Sequence, residues 1–187
     1  MTARIAPATA PFAPEIEAAL ARIMPPGLPP LALFTTLARA PRLFAKFFAA
    51  NLLERGPLSL RQRELVILRT TARCGSEYEW GVHAALFGAR AGFDAAQLAS
   101  LAHGAATDAC WDAADRPLLR LADALHESCD IDDTLWRELG AFSDAARLEL
   151  LMLAGFYRTV AYLTNALRLP LEASAQRFPT QPQPRAA

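Results

Sequence analysis

Apolar residues recur at three- and four-residue spacings along most of the chain, and no stretch keeps the strict apolar/polar alternation of a half-buried strand. The pattern predicts an all-α protein, and the chain's own punctuation marks the helices. Pro14 opens a first helix to about Met24, and a proline-rich turn leads to a short one from about Leu31 to Arg39. Pro41 sits at a first-turn position, where its missing N–H costs nothing. The helix behind it is expected to run to about Arg55, with Phe44, Phe47, Phe48, Leu52 and Leu53 on one face and Gly56 and Pro57 as its stop. Ser59 with Gln62 is a capping-box pattern and starts LRQRELVILRTTAR, which ends at the Cys74-Gly75 turn. Ser76 with Glu79 repeats the pattern and opens EYEWGVHAALFGARAG, expected as one helix closed by Gly92. The two form an αα-hairpin over about residues 60–91. Asp94 with Gln97 starts a helix ending at Gly104; further helices follow through LLRLADALHES and from Asp132 or Asp133. Ser143 caps the last long one, which Pro170 ends.

Composition narrows the class. The chain has 187 residues, 53% of them apolar, enough for one well-buried domain. Residues 1–13 and 173–187, rich in Pro, Ala and Gln, are expected to lack order, which leaves 14–172 as a single helical domain. Basic and acidic side chains balance at 19 each, so nothing draws the chain to nucleic acid or to an anionic membrane. No uncharged run is long enough to span a bilayer, and prolines break up the N-terminus as a leader. Three cysteines, none in a CxxC, suit a cytoplasmic protein better than a disulfide framework. No HExxH, HxH or clustered-cysteine pattern suggests a metal, and no cofactor is expected.

The candidate chemistry lies on the hairpin. At 1.5 Å per residue Glu64 lies roughly 15 Å from the tip on one helix and His83 roughly 12 Å from it on the other, so the two can face each other. Glu79 stands one turn before His83 on the same face. An imidazole between carboxylates is a general acid/base arrangement. Other readings also fit: Ser76 and Glu79 are explained by a capping box, and a Glu to His pair at i,i+4 is an ordinary stabilising pair. Ser76, Tyr78 and Trp80, around Glu79, are the candidates for substrate contact. His103 and His126 read as favourable charges at helix C-termini, and Cys110 and Cys129 as core or loop residues. Cys74, just before a helix start, is the redox candidate. Trp80, Phe87, Phe156, Tyr157 and Tyr162, at helical spacings, read as core residues or as pocket walls.

The stretch RQRELVILRTTARCGSEYEWGVHAALFGARAGFDAAQL, then WDAADRPLLRLADAL, then FSDAARLELLMLAGFYRTVAYLTNALRLPLE, resembles the carboxymuconolactone decarboxylase family, which includes the AhpD-like alkylhydroperoxidases. The resemblance covers about residues 41–172 and implies an AhpD-like helical bundle, a homo-oligomer (trimer or hexamer) and sites near subunit contacts. In the peroxidase branch a glutamate precedes a CxxC and a histidine follows the second cysteine by four residues. Glu64 and His83 match the glutamate and histidine; Ser76 and Glu79 stand where the cysteines would be. The resemblance therefore implies decarboxylase-type chemistry, a lyase or isomerase without cofactor that acts on a small unsaturated carboxylic acid or lactone in aromatic-compound degradation. His83, Glu64 and Glu79 would carry it. Two alternatives stand beside it: a peroxiredoxin-like activity of Cys74 without a CxxC, and a non-catalytic oligomeric ligand-binding protein of the same fold.

Overall fold

The computed structural model describes residues 2–50 and 52–180. Its centre is α4 (Leu60–Arg73), in which every residue from Glu64 to Thr71 is buried. A helix buried on all sides needs neighbours on all sides. It has them in α5 (Glu77–His83), α6 (Ala95–His103), α7 (Arg116–Ser128) and α9 (Asp144–Ala166). Leu65, Val66, Ile67 and Leu68 lie in the main core with Leu118, Leu121, Leu150 and Leu153 from the flanking helices. The polar residues in α4 must then find partners inside. Arg69, 1% exposed, makes a two-pronged bond to Asp123 and donates to the carbonyls of Ser100, Leu101 and Gly104.

Smaller elements close the ends. α1 (Pro14–Ile23), α2 (Ala32–Leu37) and α3 (Pro41–Ala49) gather Ile16, Leu20 and Phe44 into a satellite cluster. Aromatic contacts tie it to the main core: Phe34 to Phe48 at 4.9 Å and Phe47 to Phe156 at 5.1 Å between ring centroids. α8 (Asp133–Glu138) and a 3₁₀ turn (Leu139–Ala141) join α7 to α9. All described regular structure is helical, as the periodicity requires.

The hairpin turn is set by local chemistry. Gly75, at φ +64°, lets the Ser76 N–H reach the Thr71 carbonyl and its own N–H reach Ala72, both at 2.9 Å. Ser76 then serves at once as the N-cap of α5, so the connection could hardly be shorter. Two capping boxes, Ser59 with Gln62 and Asp94 with Gln97, are present with reciprocal bonds.

Two expected elements differ. The third helix ends at Ala49 rather than near Arg55, and Leu52 adopts φ 52°. The Arg63 guanidinium takes the carbonyls of Leu53 and Glu54, so this stretch satisfies its backbone through α4 instead of through helix. The second hairpin helix is not one α-helix to Gly92: after His83 it widens into a π turn, Ala84–Gly88. Such turns concentrate at functional sites. The Gln176 backbone N–H reaches the Gly81 carbonyl and its side-chain amide that of Ala84, which supplies donors to carbonyls beside the widened turn.

Gln176 lies in the C-terminal segment expected to lack order. Up to residue 180 that segment packs on the body: Phe178 lies against Trp80 at 5.2 Å and His103 bonds the Pro179 carbonyl. Residues 181–187 of that expectation lie outside the described residues. The N-terminal segment likewise makes backbone bonds, Arg4 to Leu167 and Ala8 to Thr35. Among the described residues no helix is long and apolar enough to cross a membrane.

Candidate functional site

The hairpin geometry brings together the three residues that spacing had placed at matching depth. His83 Nδ1 lies 2.7 Å from Glu64 Oε2, across from α5 to α4, and His83 Nε2 lies 3.3 Å from Glu79 Oε1 along α5. Glu64 is fully buried, and His83 and Glu79 are nearly so. The imidazole therefore has a carboxylate at each nitrogen. Arg63, 3.4 Å from the other oxygen of Glu64, adds a second positive group on the far side of that carboxylate.

Ser76 caps α5, but Glu79 does not complete a capping box with it. Its hydroxyl accepts from the Glu79 backbone N–H at 3.4 Å, so the N-cap exists. The reciprocal half of the box does not: the Glu79 side chain turns along the helix to His83. Its second oxygen, Oε2, is buried without a hydrogen-bond partner among the described residues. A buried carboxylate oxygen left unpaired is costly, and it calls for a donor from a bound water, ion or ligand.

Burial alone would push the His83 pKa down. The charge of Glu64 and its hydrogen bond, joined by those of Glu79, outweigh burial and raise it to about 9. At neutral pH the ring is an imidazolium and holds a proton to give. Tyr157 meets it edge to face at 5.0 Å, and burial and then the two carboxylates push the phenol well above its ordinary range, so it stays protonated.

Glu79 and His83 line one wall of a cavity of about 90 Å³. The remaining walls are apolar, with Phe34, Phe47, Phe48, Phe87, Phe156 and Tyr157 as the aromatic surfaces. Ile23, Met24 and Pro25, at the end of α1, close it from the side. Periodicity placed Phe47 and Phe48 on an apolar face and left Phe87, Phe156 and Tyr157 as core or pocket. Nothing in the local sequence points α1 at this site, because the contact is made over some sixty residues of chain.

The other candidates lie elsewhere. Ser76, Tyr78 and Trp80 do not line this cavity. The Ser76 hydroxyl is 2.8 Å from that of Thr164 on α9. The Tyr78 hydroxyl bonds Glu172 and accepts from the Leu33 N–H, and Trp80 is buried under Phe178. Helical rotation explains this: they share α5 with His83 but leave its axis in other directions. Cys74 is half-buried at the end of α4, with its sulfur 3.7 Å from His126 Nδ1 and no place in the cavity wall. Burial raises its thiol pKa against the pull of Arg158, which lowers the share of reactive thiolate. Among the described residues no group of three or more His, Cys, Asp or Glu is placed to hold a metal ion.

Residues 38–124 match the model of the carboxymuconolactone decarboxylase family. No protein of curated function matches the chain in sequence. Among solved structures, an uncharacterized peroxidase-related protein from Silicibacter sp. TM1040 superposes with a TM-score of 0.78 at 17% identity, covering 92% of this chain and 94% of that one. A cysteine-to-alanine variant of the debrominase Bmp8, in complex with 2,3,4-tribromopyrrole, gives 0.75 at 16% identity over 93% of this chain and 94% of that one. The alkylhydroperoxidase AhpD core of an uncharacterized peroxidase-related protein from Ralstonia eutropha JMP134 gives 0.67 at 16% identity, covering 90% and 93%. At these identities the likeness is one of fold.

Proposed function

We propose that this chain, which carries a carboxymuconolactone decarboxylase family segment over residues 38–124 in an AhpD-like fold, is a lyase or isomerase that needs no cofactor and moves a proton on a small unsaturated acid or lactone. The observation that carries the reading is the doubly held imidazole of His83 in the wall of an apolar cavity. His83 is the acid. Glu64 fixes the ring through Nδ1 and keeps it protonated, so Nε2 presents its hydrogen toward the cavity side. Glu79 holds that hydrogen in the resting site, and its carboxylate can accept one from substrate.

In the lyase form the bond from a ring carbon to a carboxylate breaks and carbon dioxide leaves. The electron pair spreads into the conjugated system, and Nε2 gives its proton to the distal carbon. Neutral His83 then recovers a proton from water. In the isomerase form Glu79 takes a proton from one carbon while His83 supplies one to another, and the two exchange it back. Positioned acid/base groups of this kind contribute about 10²- to 10⁴-fold to rate. The apolar walls strengthen both steps, since charge interactions gain in a site that excludes water.

The experiment is incubation of the protein with γ-carboxylated lactones and small unsaturated acids in deuterium oxide, followed by proton NMR. Deuterium entering a substrate carbon, or conversion to the decarboxylated product, is the expected result. No exchange and no conversion across the series would remove the reading. A redox role for Cys74 gains no support from its raised thiol pKa and its place outside the cavity. A cytoplasmic location belongs to the same proposal and is consistent with all three cysteines being free.

The homo-oligomer is also part of this proposal. Leu148, Met152 and Tyr162 are each about 60% exposed on α9, on one stripe with Gly155 near its middle. Nothing lies within 4 Å of a Cβ built on Gly155, so a second helix can approach closely there, and a two-fold axis at that point would lay a second copy across the stripe antiparallel. Met152→Asp is expected to shift the mass measured by light scattering to that of a single chain; an unchanged mass, or a single-chain mass for the unaltered protein, would refute this interface.

A further inference from the structure

We infer that the cavity beside His83 takes a neutral, flat ring bearing an O–H or N–H group, a phenol or an azole, with that group donating to the Glu79 carboxylate. The inference rests on the proposed role of Glu79 and His83 and names the ligand class of the same site.

Three observations carry it. First, Glu79 is 6% exposed, lines the cavity, and has one carboxylate oxygen with no partner among the described residues. A ligand donor bound at this carboxylate would offset the bond that it lacks. Second, the wall is built of aromatic rings. Phe87 stands 5.3 Å and Tyr157 5.0 Å from the imidazole ring, and Phe34, Phe47, Phe48 and Phe156 continue the surface. Such a wall favours a flat guest in edge or offset contact, and about 90 Å³ is the scale of a few waters or one small ring.

Third, the charges leave little room for an ion. Among the described lining residues there is no lysine or arginine. The one cation in the wall, His83, is already shared between Glu64 and Glu79. An anionic ring would bring a further negative charge against Glu79 in a medium that screens poorly, and a cationic one would meet the His83 imidazolium at short range. A neutral donor meets neither penalty. Of the two forms of the proposed chemistry the inference favours the isomerase, on small unsaturated compounds that reach the site uncharged and carry an enolic, phenolic or ring N–H group for the Glu79 carboxylate to hold.

The test is calorimetric titration of the full chain at pH 7 with four ligands of one shape: phenol, toluene, benzoate and benzylamine. Phenol is expected to bind about ten-fold or more tightly than toluene, the size of a hydrogen bond to a charged acceptor, and more tightly than either ion. In Glu79→Leu, with folding checked by circular dichroism, that preference should shrink to about two-fold or less. Equal binding of phenol and toluene, tighter binding of benzoate or benzylamine, or no binding of any of the four overturns the inference, as does a phenol preference that survives Glu79→Leu. If that variant does not fold, the ranking in the unaltered protein decides alone. The two readings fail separately. Deuterium exchange into an unsaturated acid without a phenol preference removes the ligand class and keeps proton transfer; phenol binding without exchange in any substrate does the reverse.

Discussion

His83→Gln is expected to lower turnover by about 10²- to 10⁴-fold while the chain still folds, because glutamine can bond Glu64 but cannot give a proton. The pH dependence makes the expectation specific. In the unaltered protein the His83 ring titrates near 9, where Glu64 and Glu79 hold it against burial. The acid form then persists through neutral pH, and the rate should fall only as pH rises toward and past 9. Glu64→Gln removes the carboxylate that does most to raise it, so the same limb should move down toward neutrality, by about a unit or more. The ring proton resonances of His83, followed by NMR from pH 5 to 10, read this without any substrate. A histidine titrating near its ordinary value of about 6.5, unmoved by Glu64→Gln, would contradict both the geometry and the role.

The same shift has a consequence for stability. A group whose pKa is higher folded than unfolded contributes stability below the unfolded value, and that contribution is lost as pH rises through the folded one. For His83 the window runs from about 6.5 to about 9. The loss across it is about 3 kcal/mol at most. The urea midpoint should therefore drop over this range in the unaltered protein and stay flatter in His83→Gln.

Arg69→Met is expected to cost about 3–5 kcal/mol of folding stability, the range seen when one partner of a buried ion pair is removed. Arg69 is 1% exposed and bonds Asp123 through Nε at 2.6 Å and Nη2 at 2.9 Å. It also answers the carbonyls of Ser100, Leu101 and Gly104, where α6 ends. Methionine fills much of the volume but leaves those carbonyls unpaired and Asp123 held by Arg73 alone. Lysine should rescue little, since a single ammonium cannot reproduce the planar fork. The double variant Arg69→Met with Asp123→Leu should recover part of the loss, because it removes the stranded charge. Denaturant unfolding measures all of these, and a change under about 1 kcal/mol for Arg69→Met would show that the pair is not holding α4, α6 and α7 together. Arg69 and Glu64 leave α4 in different directions, so the His83 titration should stay in place in whichever of these variants remains folded.

Much of the arrangement was legible in one dimension. The Cys74-Gly75 turn, the caps at Ser59, Asp94 and Ser143, and the matching depths of Glu64 and His83 follow from rules acting over a few residues. Such rules could not choose between a capping box and a contact with His83 for Glu79, since both need Glu at that position. The choice fell to the imidazole and carboxylate that α4 and α5 share. Ser76, Tyr78 and Trp80 looked equally close to Glu79 along the chain, and only their directions from the helix axis set them apart from the cavity.

The sequence by itself determined the helical class, the hairpin and the exclusion of a CxxC redox centre, because periodicity, caps and residue identity are local. The tertiary structure decided the early end of α3, the π turn after His83, the cavity wall from α1 and the unpartnered oxygen of Glu79. Each of these depends on partners far away in sequence: Arg63 for the carbonyls after α3, Gln176 for those near the π turn, α1 and α3 for the cavity. Where a backbone or side-chain group has two ways to be satisfied, local pattern describes both, and the free energy of distant packing selects one.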